Sequence, residues 1–214
     1  MNTLNNFKPF QTIVGYNLLE EINNFISKKT CLVTMRDLWE KFESNLHNLS
    51  DVYFVSSLEE VDLEKQISKF NNYDTIVGLG GGQALDIAKY FSWKCNLKLF
   101  QFPTSLSVDA VFGHRSGIRR NNIVHYIGWA IPECVFIDYG IIQKAPVIFN
   151  HSGIGDILCF YTGVLDWKYA NKINKCESKW QYDEQLALKS LSYVDELLEN
   201  ADDVKKLNKK GIDT

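Results

Sequence analysis

No apolar run in this sequence approaches the ~20 residues that a membrane-spanning helix needs. The opening residues, MNTLNNFKPF, lack the charged-then-apolar pattern of a secretory leader. No C-x-x-C pair occurs, and the five cysteines (Cys31, Cys95, Cys134, Cys159, Cys176) are odd in number and far apart. That usage predicts reduced, mostly buried thiols and a cytoplasmic location. Neither sign of charge dominates: 23 Lys+Arg stand against 26 Asp+Glu, for a net charge of −3. Such a balance argues against a nucleic-acid partner held by bulk charge. No internal repeat and no low-complexity tract is present. At 45% apolar and 23% charged residues, the composition excludes disorder, collagen and disulfide-stapled miniproteins. The 214 residues suffice for one large domain or two small ones, with a sizeable core.

Short runs rich in β-branched and aromatic residues alternate with helical patterns. Strands are predicted at 30–34, 52–56, 74–79, 98–102 and 134–138. Their continuous apolar character suits the buried centre of a parallel sheet. Helices are predicted at 18–26, 58–70 and 84–91 from the spacing of their apolar residues. Alternation of this kind implies βαβ units and a doubly wound α/β layer. Residues 116–129 read as a hairpin, because Asn121-Asn122 tolerates the left-handed backbone of a tight turn. From Pro146 onward the strand signals stop, and helices are predicted at 157–170 and 182–198. The division predicted is 1–145 for the α/β part and 146–214 for a helical part. Two helices make a thin layer that needs a surface to pack on, which leaves room for a homo-oligomer.

Gly78-Leu-Gly80-Gly81-Gly82 falls between a strand and a helix. Glycine lets backbone N–H groups approach a ligand closely, and a helix N-terminus favours an anion. A phosphate or pyrophosphate site is one reading; a plain tight turn is the other. The spacing fits neither G-x-G-x-x-G nor the P-loop pattern. Pro103-Thr104-Ser105-Leu106-Ser107-Val108-Asp109 follows the next strand, where open α/β sheets bind ligands. Gly153-Ile154-Gly155-Asp156-Ile157-Leu158 reads as a helix opening, with Asp156 as its cap or as a ligand.

The segment Gly80-Gly81-Gly82-Gln83-Ala84-Leu85-Asp86-Ile87-Ala88-Lys89 resembles the G-G-G-x-x-x-D-x-A-K stretch of the metal-dependent polyol dehydrogenases. That superfamily takes in iron-containing alcohol dehydrogenases, glycerol dehydrogenases, sn-glycerol-1-phosphate dehydrogenases and 3-dehydroquinate synthases. The Pro103–Asp109 loop is similar to P-T-x-x-S-x-D of its dehydrogenase branch. Tyr161-Thr162-Gly163-Val164-Leu165-Asp166-Trp167 looks most like the Y-T-x-x-x-D-W stretch of the glycerol-1-phosphate dehydrogenases. The likeness runs over about residues 10–200, which correspond to the first part of the longer family members.

The resemblance implies a Rossmann-like, mostly parallel α/β domain followed by the start of a helical domain. It implies an NAD- or NADP-dependent oxidoreductase that interconverts dihydroxyacetone phosphate and sn-glycerol 1-phosphate. Gly80, Gly81, Gly82, Gln83, Ala84, Leu85 and Asp86 would contact the cofactor diphosphate, and Thr104, Ser105, Leu106 and Ser107 would face the cofactor. Asp109 would orient the small phosphorylated substrate, and Asp156 would hold Zn²⁺ or another divalent ion. The family takes two further His ligands from its helical domain, whereas no histidine follows Asp156 here. His114, His125 and His151 are candidates to share an ion, and Asp37 is a candidate for the adenosine ribose. Arg115, Arg119 and Arg120 are either phosphate contacts or solvated hairpin residues. Two other functions compete with the dehydrogenase. One is a non-catalytic nucleotide-binding module; the other is a dehydroquinate-synthase-like lyase, which the Pro103-to-Asp109 spacing disfavours.

Overall fold

A computed structural model describes residues 11–47, 49–107 and 109–214. The chain divides into two compact units, Met1–Ala145 and Pro146–Thr214. The first is built on a six-stranded sheet in the order β1-β8-β5-β4-β2-β3. Its strands are β1 (Gln11–Gly15), β2 (Thr30–Thr34), β3 (Asp51–Phe54), β4 (Thr75–Gly80), β5 (Lys98–Pro103) and β8 (Cys134–Asp138), and every pairing is parallel. All residues of β2 and β4 are buried, as expected of strands covered on both faces.

Helices clothe both faces. On one lie α3 (Glu60–Glu64) and α4 (Gly82–Cys95), packed through Leu63, Ile87, Ala88 and Phe91 onto Cys31, Val33 and Ile76. Phe70 stacks on Phe91 there at 4.0 Å between ring centroids. On the other lie α1 (Leu18–Glu21), α2 (Arg36–Phe42) and α5 (Tyr139–Lys144), whose Leu18, Leu19, Trp39 and Ile141 pack against Leu32, Val77, Leu79 and Phe136. The side chains of successive strand residues therefore feed separate cores on the two faces, with a smaller third cluster at Leu85, Val111 and Val135. The wrap is doubly wound, and α2 and α4 leave the adjacent strands β2 and β4 on opposite faces. That makes the carboxyl ends of β2 and β4 the switch point of the sheet.

Predicted helices 18–26 and 58–70 are shorter than the apolar spacing suggested: each is one α-helical segment followed by a 3-10 turn, at Ile22–Asn24 and Ile67–Phe70. The strand β1 and helices α2 and α5 were not anticipated. β1 is a partly exposed edge strand that lacks a continuous apolar run, so its pattern is weak. The hairpin is present as β6 (Ser116–Arg120) and β7 (Ile123–Ile127). Asn121 and Asn122 turn it with φ of 54° and 63°, the left-handed pair that a two-residue hairpin loop requires. The Glu59 carboxylate accepts the N–H groups of both asparagines, at 3.1 and 2.9 Å.

The second unit holds α6 (Val147–Lys172), α7 (Glu184–Glu199), α8 (Ala201–Lys206) and α9 (Lys209–Asp213), with no strand among its residues. Asp183 caps α7 by accepting from Leu186 N–H at 3.0 Å. Trp167 donates its indole N–H to the Trp180 carbonyl at 3.0 Å and meets Tyr182 edge-on at 5.0 Å. Within the Tyr161–Trp167 motif, the tryptophan therefore fastens α6 to the segment that leads into α7.

Among the described residues no helix is long and apolar enough to cross a membrane. All five cysteines are unpaired; Cys31 is buried and Cys159 exposed. Burial, reinforced by the nearby Asp51 charge, pushes the Cys31 thiol up to about 12. A thiol reagent at pH 8 is expected to modify Cys159 first and to leave Cys31 intact until the chain unfolds. Mass-spectrometric mapping of the adducts checks this.

Candidate nucleotide-binding site

β4 ends in the glycine corner at the switch point. Gly80 has φ +152°, and a Cβ there would lie 2.9 Å from Ala84 Cβ and 3.3 Å from Leu38 Cδ1. Only glycine suits that backbone and that space. Gly78 is needed for a different reason: a Cβ would lie 2.9 Å from Ala88 Cβ, so its absence lets α4 lie close on the strand.

Gly81 caps α4 in an extended conformation (φ −83°, ψ −172°) and makes no side-chain capping bond. The first N–H groups of a helix have no intrahelical acceptor. Here those groups belong to Gly81, Gly82, Gln83 and Ala84. Leu85 is the first to turn inward, its N–H donating to the Gly81 carbonyl at 3.2 Å. An added Cβ at Gly81 would find no atom nearer than Ser107 Oγ, at 3.9 Å. The corner is therefore an open cradle of four donors at the positive end of a 14-residue helix. A nucleotide diphosphate fits that donor set.

The Thr104–Ser107 loop forms the adjoining wall. Thr104 N–H donates to the Gly80 carbonyl at 3.0 Å, continuing the β4–β5 ladder beyond the Gly80–Pro103 pair. Thr104 is buried, and Ser105 Oγ lies 3.2 Å from Ser107 Oγ. Val108 is outside the described residues. Asp109 is exposed and opens a 3-10 turn, Asp109–Val111. Asp37 sits in the first turn of α2, beside the Leu38 that approaches Gly80.

Two members of the predicted diphosphate set face elsewhere. Leu85 is buried, and its carbonyl accepts from the Gln101 side chain at 3.2 Å. Asp86 lies in the second turn of α4, and its carboxylate pairs with Lys89 at 2.8 Å. Burial pushes the Asp86 carboxyl up, while the Lys89 charge and the Gly117 N–H draw it down. Lys89 was part of the quoted motif but carried no predicted role. Its i,i+3 spacing from Asp86 was the available signal.

The metal expectation fares differently. Asp156 does not cap a helix, since α6 begins at Val147 and places it on an exposed mid-helix turn. Five residues apart on α6, His151 and Asp156 point roughly 140° apart around the axis. Among the described residues, no group of three or more His, Cys, Asp or Glu is placed to hold an ion. A catalytic zinc takes three protein ligands, so these residues do not fit one. His114 instead packs against Trp129, with ring centroids 3.7 Å apart and planes tilted by 44°. Of the arginines, Arg120 is bound by both oxygens of Glu60, and Arg115 Nη1 donates to the Tyr126 carbonyl at 3.5 Å.

Burial, with the Arg115 and Lys89 charges, holds the His114 imidazole below its usual 6.5. A depressed pKa of this kind adds stability that is present above about 6.5 and lost as pH falls through the lower folded value. In a proton NMR titration the His114 ring signal is expected to move with a midpoint below 6.5; a midpoint at or above 6.5 contradicts this environment.

Residues 19–146 match the family described as iron-containing alcohol dehydrogenase. The chain belongs to that family. Among curated proteins, it is 31% identical over 189 residues to a protein named glycerol-1-phosphate dehydrogenase [NAD(P)+] from Methanococcus aeolicus, covering 86% of this chain and 52% of the relative. A protein of the same name from Pyrococcus horikoshii is also 31% identical, over 199 residues, covering 87% of this chain and 57% of the relative. The chain thus spans a little over half the length of these relatives. Among solved structures, glycerol dehydrogenase from Schizosaccharomyces pombe superposes with a TM-score of 0.71 at 23% identity, over 92% of this chain and 54% of that one. A probable glycerol dehydrogenase from Sinorhizobium meliloti gives 0.74 at 18%, over 92% and 57%. At those identities the two structures speak for the fold alone, and they agree with the Rossmann-like sheet and helical segment expected from the sequence.

Proposed function

We propose that this chain binds NAD(H) or NADP(H), with the diphosphate against the N–H groups of Gly81, Gly82, Gln83 and Ala84. The observation that carries this is the first turn of α4, without a side-chain cap and beside a Gly81 whose added Cβ would meet nothing nearer than 3.9 Å. Thr104–Ser107 wall the cofactor, and Asp37 is positioned to accept a hydrogen bond from the adenosine ribose. Each charge-assisted N–H contact is worth about 1.5–3 kcal/mol, so two or three of them contribute roughly 3–9 kcal/mol, a large share of the ~8 kcal/mol that micromolar binding needs.

The reaction we infer, in keeping with relatives named glycerol-1-phosphate dehydrogenase, is hydride transfer between the nicotinamide and dihydroxyacetone phosphate, giving sn-glycerol 1-phosphate. Asp109 orients the substrate by accepting from one of its hydroxyls. Arg115, which follows Asp109 on the same loop, supplies a cation for the substrate phosphate. The free thiols suit a reducing, cytoplasmic setting. A small phosphorylated metabolite is the partner, rather than nucleic acid.

A second reading is a module that binds nucleotide without turnover. NADH oxidation in the presence of dihydroxyacetone phosphate, with and without added Zn²⁺, separates the two. Turnover supports the dehydrogenase; NADH binding without turnover supports the module; absence of both overturns the nucleotide site.

A further inference from the structure

Lys89 is 1% exposed, an unusual place for an ammonium group. Its Nζ lies 2.9 Å from the Ala110 carbonyl, 3.2 Å from that of Gly113 and 2.6 Å from that of Arg115. Its charge is met by Asp86 at 2.8 Å. Asp86 also accepts the Gly117 N–H, where β6 begins. A Cβ at Gly117 would stand 2.9 Å from Asp86 Oδ2, so glycine is what lets the main chain come this close. Nothing in nucleotide binding requires these contacts. They join three parts of the fold: α4, the 109–115 loop and the hairpin.

One rigid helix therefore carries the nucleotide donors on its first turn and, two turns later, a cation that gathers three carbonyls of the loop headed by Asp109. We propose that Lys89, with Asp86 as its counter-ion, is a positioning residue that sets Asp109 in register with the glycine corner. This rests on the reading of Asp109 as the substrate-orienting group. A compact ammonium suits a cluster of three carbonyls and one carboxylate, its three N–H donors shared among the four acceptors; guanidinium is planar and would not. Asp86 thus serves the substrate loop, and the diphosphate is left to the four N–H groups ahead of it.

The test uses the full chain and the variants Lys89→Met and Gly117→Ala. The second leaves the buried lysine in place and crowds Asp86 from the other side. Three readouts are taken: NADH affinity by fluorescence titration, dihydroxyacetone phosphate affinity at saturating NADH, and hydrogen exchange of the 110–117 amides without ligand. Positioning predicts NADH affinity within about threefold of the parent, while dihydroxyacetone phosphate affinity falls roughly 10- to 100-fold, the scale expected from a displaced contact. The 110–117 amides should exchange faster in both variants, more so in Lys89→Met.

Parallel loss of both affinities overturns the proposal, because it marks a general structural role. Unchanged exchange in 110–117 also overturns it. If Lys89→Met does not fold, Gly117→Ala decides by the same split. Failure of the nucleotide reading is recognised separately, since the parent chain would then bind no NADH while the exchange comparison still reports on the loop.

Discussion

Gly81→Asp is expected to leave the fold intact, or to stabilise it by a few tenths of a kcal/mol, while lowering NADH affinity by about 30- to 1000-fold. The two effects run in opposite directions because they act on the same N–H groups. Gly81 has extended backbone that any residue adopts, and a Cβ there meets nothing closer than 3.9 Å. Aspartate is among the best N-cap residues, and its carboxylate would accept from the second or third helical N–H. Those donors would then be lost to the coenzyme, and a negative charge would stand where the diphosphate belongs. The loss is about 2–4 kcal/mol, from one or two charge-assisted contacts plus repulsion. Thermal melting and a fluorescence titration on one preparation read both. Unchanged NADH affinity would remove the diphosphate from this turn.

Gly80→Val, one residue earlier, should behave in the opposite sense and destabilise the first unit by about 2–5 kcal/mol. The backbone at φ +152° is one that a β-branched residue does not adopt without strain. The new Cβ would also press to 2.9 Å from Ala84 Cβ, forcing α4 off the sheet. Ile87, Ala88 and Phe91 of α4 belong to one of the hydrophobic cores, so the cost is not confined to the corner. Urea denaturation measures it; a midpoint unchanged from the parent would contradict this account of Gly80. Adjacent glycines thus have separable duties, one to shape the turn and one to keep it open.

Some of this was legible in the sequence and some was not. Strands 30–34 and 134–138 coincide with β2 and β8 because central parallel strands are apolar on both faces, a strong local signal. The Asn121-Asn122 turn was visible because few residue pairs accept two left-handed conformations in succession. Helix α2 was not, since it has no fully buried residue and meets the sheet through the partly covered Leu38, Trp39 and Phe42. Asp156 was misplaced as a helix opening because Gly153 and Gly155 suggest a boundary. In fact α6 runs through both from Val147, and glycine costs only about 1 kcal/mol apiece inside a helix of 26 residues.

At the site, the glycine run marked the strand-to-helix corner, whereas the pairing of Asp86 with a buried Lys89 was not legible. An i,i+3 carboxylate and lysine look like an ordinary surface pair in sequence. That Lys89 is buried under the 109–115 loop depends on contacts 21 to 26 residues away, which no local pattern encodes.

The most direct test watches the four amides themselves. In ¹⁵N-resolved NMR spectra of the chain titrated with NADH, the largest shifts are expected at Gly81, Gly82, Gln83 and Ala84, with smaller ones at Thr104–Ser107. Amides elsewhere on α4, from Ile87 onward, should scarcely move. A titration that leaves those four signals in place, whether or not the coenzyme binds at another surface, would contradict the site.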